Sequence, residues 1–159
     1  AIYFQSGVSS PTRGVIAAGY TGSAYTKVVS FVTISSQGDA QNFGNLTKAG
    51  QPDAAGNSIR GILSGGINPS YTNSIELLTI ATLGDSVDFG DLTEARAQGQ
   101  AVSSPTRFVS MSGRNSSDNL VDEMDYIEIA TGGNAVNFGE LVGNDRLRAA
   151  GASNGHGGL

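Results

Sequence analysis

The hexapeptide "VSSPTR" occurs at residues 8–13 and again at residues 102–107. No other feature constrains the fold as strongly, because self-similarity at a period of a few tens of residues marks stacked supersecondary units. Arg13, Arg60 and Arg107 recur at intervals of 47 residues, in "TRGVIAAGY", "IRGILSGGI" and "TRFVSMSGR". Phe43, Phe89 and Phe138 recur in "NFGNL", "DFGDL" and "NFGEL", at intervals of 46 and 49. Between these markers lie "SFVTISSQGD", "ELLTIATLGD" and "DYIEIATGGN". The chain reads as a single repeat domain over 1–159 with three units of about 47 residues each, 8–55, 56–101 and 102–151. Residues 152–159 read as the start of a fourth repeat or a tail, with His156 in the Arg place. The opening "AIYFQSG" aligns with the connection before unit three and has neither the basic region nor the apolar core of a signal peptide.

Each unit reads as strands. In unit two the Arg marker opens a short run, "RGILSGG", followed by a polar turn containing Asn68-Pro69. Next, "SIELLTIAT" alternates and then turns apolar on its second face, as a strand covered on both sides would. "QGD", "LGD" and "GGN" sit at one offset and read as hairpin turns. The Gly of each "FG" pair is expected to mark a bulge or a close backbone approach. One unit is then three long strands plus a short junction strand, and the fold class is all-β. The recurring Arg and Phe residues, needed once per unit, read as interlocking and packing groups rather than as a catalytic set.

A net charge of -5 with nine scattered Lys and Arg excludes the clustered basic surface that nucleic acid requires. There is no cysteine, so no disulfide framework or thiolate metal site. No apolar run is long enough to insert in a membrane. The single imidazole, His156, lies in the Gly-rich C-terminal stretch, which argues against Ser-His-Asp catalysis and a His metal site. Asp85, Asp88 and Asp91 are spaced like part of a calcium loop, but 88 and 91 fall on opposite faces of a strand, and unit one has Asp39, Asn42 and Asn45 there. Asp122, Glu123 and Asp125 read as a solvated loop rather than as the carboxylate pair of a glycosidase. No catalytic residue, metal or cofactor is expected. The segments that differ between units are 21–27, 68–74 and 115–124, and Tyr25, Tyr71 and Asn119 give them the aromatic and hydrogen-bonding chemistry of a recognition surface.

The order of features in unit two, Gly65-Gly66, Leu77, Gly84, Phe89 and Arg96, resembles the kelch repeat of β-propellers. Units one and three depart from it with Ala18-Gly19 and Ser112-Gly113, and Phe stands where Trp is usual. Residues 124–142, "MDYIEIATGGNAVNFGELV", and 88–96, "DFGDLTEAR", are also similar to tandem repeats in structural proteins of marine tailed phages such as cyanophages. That resemblance implies β-propeller-type blades in a capsid-decorating, tail or fibre protein, made in the host cytoplasm and carried in the virion. Its partners would be copies of itself and other virion proteins. Propellers have at least about four blades, so three would be completed either by other chains or by further blades of a longer polypeptide of which this chain is a segment. A β-trefoil or β-prism is the alternative fold, and a carbohydrate- or receptor-binding module facing a cell-surface glycan is the alternative function.

Overall fold

The computed structural model describes residues 1–48, 50–143, 147 and 151; His156 and the rest of 152–159 lie outside them. Among the described residues the chain is all-β, with no helix and four antiparallel sheets. The first sheet contains β1 (Ser6–Ser9), β2 (Arg13–Tyr20), β3 (Tyr25–Thr33) and β4 (Gln41–Asn45). The second contains β5 (Asp53–Gly56), β6 (Arg60–Ser64), β7 (Ser74–Thr79) and β8 (Val87–Asp91). Between the second and third lie the ribbon strands β9 (Arg96–Ala97) and β12 (Arg114–Asn115), which pair with each other. The third sheet contains β10 (Gln100–Ser103), β11 (Arg107–Met111), β13 (Glu123–Glu128) and β14 (Val136–Glu140). Each four-stranded sheet is a meander; in the third, the ribbon strand β12 intervenes in sequence between the paired β11 and β13. A trefoil pools strands from its units in one barrel, and no such pooling joins these four-stranded sheets.

The sheets stack on two apolar interlayers. Val8, Val15, Val29, Phe31 and Phe43 of the first sheet meet Leu63, Leu78 and Ile80 of the second. On the other side, Ile62, Ile75 and Leu92 meet Phe108, Ile127 and Ile129 of the third. This is why β7 is apolar on both faces: Leu78 faces one interlayer and Ile75 the other. Each such side chain contributes about 1.5–3 kcal/mol by leaving water.

The recurring residues occupy equivalent points of the three sheets. In each outer strand the Phe is the extra residue of a bulge: Gly44 pairs with Val29 and Asn42 with Ser30, leaving Phe43 over, and β8 and β14 repeat this at Phe89 and Phe138. The bulge presents its backbone to the following sheet. Gly84 N–H donates to the Phe43 carbonyl at 2.9 Å and Ser86 N–H to the Asn45 carbonyl at 2.9 Å. Gly133 and Ala135 donate in the same way to Phe89 and Asp91, at 2.9 and 2.7 Å. The approach is so close that a Cβ on Gly44 would lie 2.2 Å from the Gly84 carbonyl oxygen, and one on Gly90 would lie 2.1 Å from that of Gly133. Only glycine fits there.

Arg13 secures the first interlayer, its Nη1 donating to the carbonyls of Ile80 and Ala81 at 2.9 and 2.7 Å. Arg60 does the same to Ile129 and Ala130. Each guanidinium also covers a ring, Arg13 over Phe31 at 5.0 Å and Arg60 over Phe89 at 5.9 Å. Arg107 instead turns to its own sheet, with Nη2 3.0 Å from Glu128 Oε1 and the guanidinium 4.7 Å from the Tyr126 ring. Arg60→Ala should therefore lower the unfolding free energy by about 1.5–3 kcal/mol, the range for hydrogen bonds to charged groups. Arg107→Ala, which breaks an exposed ion pair, should cost within about 1 kcal/mol. Urea denaturation of the two variants checks this, and equal losses would remove the inter-sheet role of Arg60.

Candidate functional site

Antiparallel pairing brings the starts of β1, β5 and β10 to the same end of the sheets as the turns that follow β2, β6 and β11. Two features lie at that end, a polar cleft and a cluster of loops.

The cleft, about 380 Å³, opens where the three innermost strands begin, and Phe4, Gln51, Asp53, Gln98 and Gln100 contribute to its wall. Gln98 Nε2 donates to Gln51 Oε1 at 2.8 Å across the gap between the first two junctions. Asp53 is buried, and its Oδ2 accepts from the Ser110 hydroxyl at 3.4 Å. Behind it stands Arg96, fully buried, whose Nη2 lies 3.1 Å from Asp125 Oδ2 and donates to the Ser110 carbonyl at 3.3 Å. Asp125 also receives the backbone N–H and hydroxyl of Thr93, at 3.0 and 2.8 Å. Burial pushes the Asp53 carboxyl up to about 7, against the opposing pull of Arg96 and of hydrogen bonds from Ser110 and the Gly99 backbone. Asp53 is thus a proton donor below neutrality and a carboxylate above it.

Asp125 corrects the sequence expectation of a solvated acidic loop over Asp122, Glu123 and Asp125. Glu123 and Asp125 belong to β13, and Asp125 is wholly buried because it answers the guanidinium of Arg96. Asp53 carries no such signal in the sequence. Its equivalents at the 47-residue spacing are Ser6 and Gln100, so only the fold places an acid at this junction.

The three variable loops do meet at one end. Tyr25 opens β3 and packs its ring against Tyr20, with centroids 5.1 Å apart. Tyr20, which sequence reasoning passed over, donates to the Gly22 carbonyl at 2.9 Å. Tyr71 lies 3.5 Å from Asp118 Oδ1, and Asp118 is paired with Arg114 at 2.8 Å. The Tyr71 hydroxyl is held above its ordinary range by burial and then by the Asp118 carboxylate, with a smaller contribution from Tyr25. Asn115 caps this loop, its Oδ1 accepting the backbone N–H of Asn119 at 3.1 Å and that of Ser117 at 3.1 Å. Tyr71 is therefore close to both Tyr25 and the 115–124 loop that carries Asn119, and its hydroxyl is already engaged within the chain.

Asp85 has a structural partner, accepting the Asn45 N–H at 2.8 Å. Among the described residues no group of three His, Asp or Glu side chains is arranged to hold a metal ion. Nor is any helix long and apolar enough to cross a membrane.

No family model and no curated protein matches this chain. Among solved structures, that of YjhT superposes with a TM-score of 0.67 at 14% identity, over 86% of this chain and 44% of that one. At that identity the likeness is one of fold, and this chain spans less than half the length of YjhT.

The raised Asp53 sets a pH dependence. Its value moves from 3.8 to about 7 on folding, so the folded protein holds this proton more tightly. The associated stability is complete below 3.8 and is lost as pH rises through about 7. Asp53→Asn mimics the neutral acid, and its urea midpoint should exceed that of the parent at about pH 8 while differing less at about pH 5. The same offset at both pH values would show that Asp53 does not titrate in this window.

Proposed function

We propose that this chain is a non-enzymatic structural protein of a phage virion, in a capsid-decorating, tail or fibre position, that works by assembly of propeller-type blades. The observation that supports this most directly is the contrast between inner and outer faces. Ile80 and Ile129 are 0% and 1% exposed in the two interlayers, whereas Ile34, their equivalent in the first sheet, is 57% exposed. Phe43 is 3% exposed and Phe138, its equivalent in the third sheet, 48%. Both ends of the stack offer an apolar face of the kind the interior buries, and large exposed apolar patches mark association sites. Four-stranded meanders stacked face to face, with their innermost strands meeting, are the build of propeller blades. The repeats resembling those of marine phage structural proteins supply the virion setting. In this reading the protein is made in the host cytoplasm and resides in the particle.

The cleft and the tyrosine loops, sharing one end, favour a second reading as a carbohydrate- or receptor-binding module. Native mass spectrometry of the purified chain separates the two: an assembly of two or more chains at micromolar concentration is expected. A monomer together with saturable glycan binding that disappears in Tyr25→Ala and Tyr71→Ala would replace the structural reading with the binding one.

A further inference from the structure

The two interlayers are built on one plan, and the chain carries an unused copy of each half. The donating half is the Arg at the start of the second strand together with the Phe-Gly bulge of the fourth. The receiving half is the turn after the third strand, with two carbonyls for the Arg, a Gly N–H for the Phe carbonyl, and an Asp or Asn oxygen for the next N–H. Asp85 Oδ1 accepts from Asn45 N–H at 2.8 Å, and Asn134 Oδ1 from Asp91 N–H at 3.2 Å. In the third sheet the donating half is Arg107, Phe138, Gly139 and Glu140; in the first sheet the receiving half is Ile34, Ser35, Gly38 and Asp39.

Among the described residues both halves are open. The nearest atom to a Cβ on Gly139 is Met124 Cε at 3.7 Å, where the equivalent glycines meet a carbonyl oxygen at 2.2 and 2.1 Å. Arg107 is 46% exposed and folded back on Glu128. Gly38 has the extended positive φ of its equivalents, 148° against 144° at Gly84 and 104° at Gly133. At this residue the receiving turn shares the positive φ of the turns that already dock.

Building on the assembly reading above, we propose that a second copy of this chain docks head to tail, its first sheet on the third sheet of its partner. Arg107 releases Glu128 and donates to the Ile34 and Ser35 carbonyls of the second copy. The Gly38 N–H of that copy meets the Phe138 carbonyl, its Asp39 carboxylate receives the Glu140 N–H, and its Ile34 side chain is covered beside Tyr126 and Phe138. This is a heterologous interface, the kind that makes a ring when it closes; two copies making two such joints leave neither face open. One component is missing. Glu76 receives the N–H groups of Thr47 and Lys48, both at 2.8 Å, and Asp125 receives that of Thr93, but the equivalent in the first sheet is Ser30. The joint between copies therefore lacks the carboxylate clamp and is the weaker, reversible one.

The chain has no cysteine, so single variants Asp39→Cys and Glu140→Cys can be mixed and treated with a mild oxidant or a short bifunctional thiol reagent. Cross-linked dimers are expected from the mixture and not from either variant alone. Ile34→Asp and Arg107→Glu should each raise the dissociation constant of the assembly at least tenfold, with the melting profile of the monomer retained. If native mass spectrometry finds an assembly yet the cross-links join like variants, or none form in the mixture, the head-to-tail joint is wrong while the assembly reading stands. A chain that stays monomeric and uncross-linked at all concentrations overturns both.

Discussion

The stack depends on how an edge strand disposes of its backbone. A strand at the rim of a sheet exposes N–H and C=O groups that must find partners or water. In β4 and β8 the Phe-Gly bulge turns this liability into an attachment point: the Phe carbonyl accepts from the turn of the next sheet, and the N–H two residues on is taken by an Asp or Asn oxygen of that turn. Loss of the Cβ at Gly44 and Gly90 lets the two backbones approach to this distance. The apolar interlayers then follow, because the docked turn carries Ile80 or Ile129 into the gap between sheets. Packing is non-directional; the backbone contacts and the Arg side chains select one register for it.

A second layer of fixation is electrostatic, and it lies in the middle of the chain. Glu76 and Asp125 occupy the same point of the second and third sheets and receive backbone donors from the preceding sheet. At Asp125 the carboxylate also answers Arg96, giving a buried ion pair with both side chains fully covered. Such a pair gains its Coulomb energy only against a large desolvation cost. Its Nε and Nη1 have no hydrogen-bond partner among the described residues. The neighbouring Asp53 supplies a further negative charge only when ionised, and burial opposes that. The arrangement is costly for stability but specific in geometry, since it ties the ribbon between sheets to both of them.

Much of this architecture is legible in the sequence because the repeat copies backbone requirements along with side chains. The 47-residue spacing of Arg13, Arg60 and Arg107 locates the second strand of each sheet, and the "FG" pairs locate the bulges. The departures from the double glycine keep the backbone: Ala18, Gly65 and Ser112 have φ of 55°, 67° and 60°, a left-handed conformation that costs Ala and Ser about 1–2 kcal/mol, and a Gly follows each. The second residue of the pair, with φ of 116–122°, is where glycine is required. What the sequence conceals is whatever differs between units. Asp53 and Arg96 stand at places where the other units have unlike residues, so no periodicity marks them; the kelch-like order of unit two points to Arg96 but not to its buried partner Asp125, and nothing points to Asp53. Asp125 sits beside Asp122 and Glu123 and reads as one member of a polar run, although alternation on β13 sends its side chain inward. Whether Phe138 is covered is likewise not a property of its own segment, since the third sheet repeats the pattern of the first two and differs only in lacking a successor among the described residues.

The plan seen within the chain, carried over to the proposed joint between copies, has unequal consequences. Inside the chain, each joint is held by the covalent connection, which keeps the next sheet at high effective concentration, and by the carboxylate clamp at Glu76 or Asp125. At the proposed joint between copies both aids would be absent: the connection is replaced by diffusion, and Ser30 has no carboxylate to offer a partner backbone. The proposed joint between copies would therefore form by mass action, whereas the two within the chain do not depend on concentration. On the proposed head-to-tail docking, folding and assembly would be separated in concentration although they use the same contacts, and the chain would fold with its outer faces open before another copy covers them.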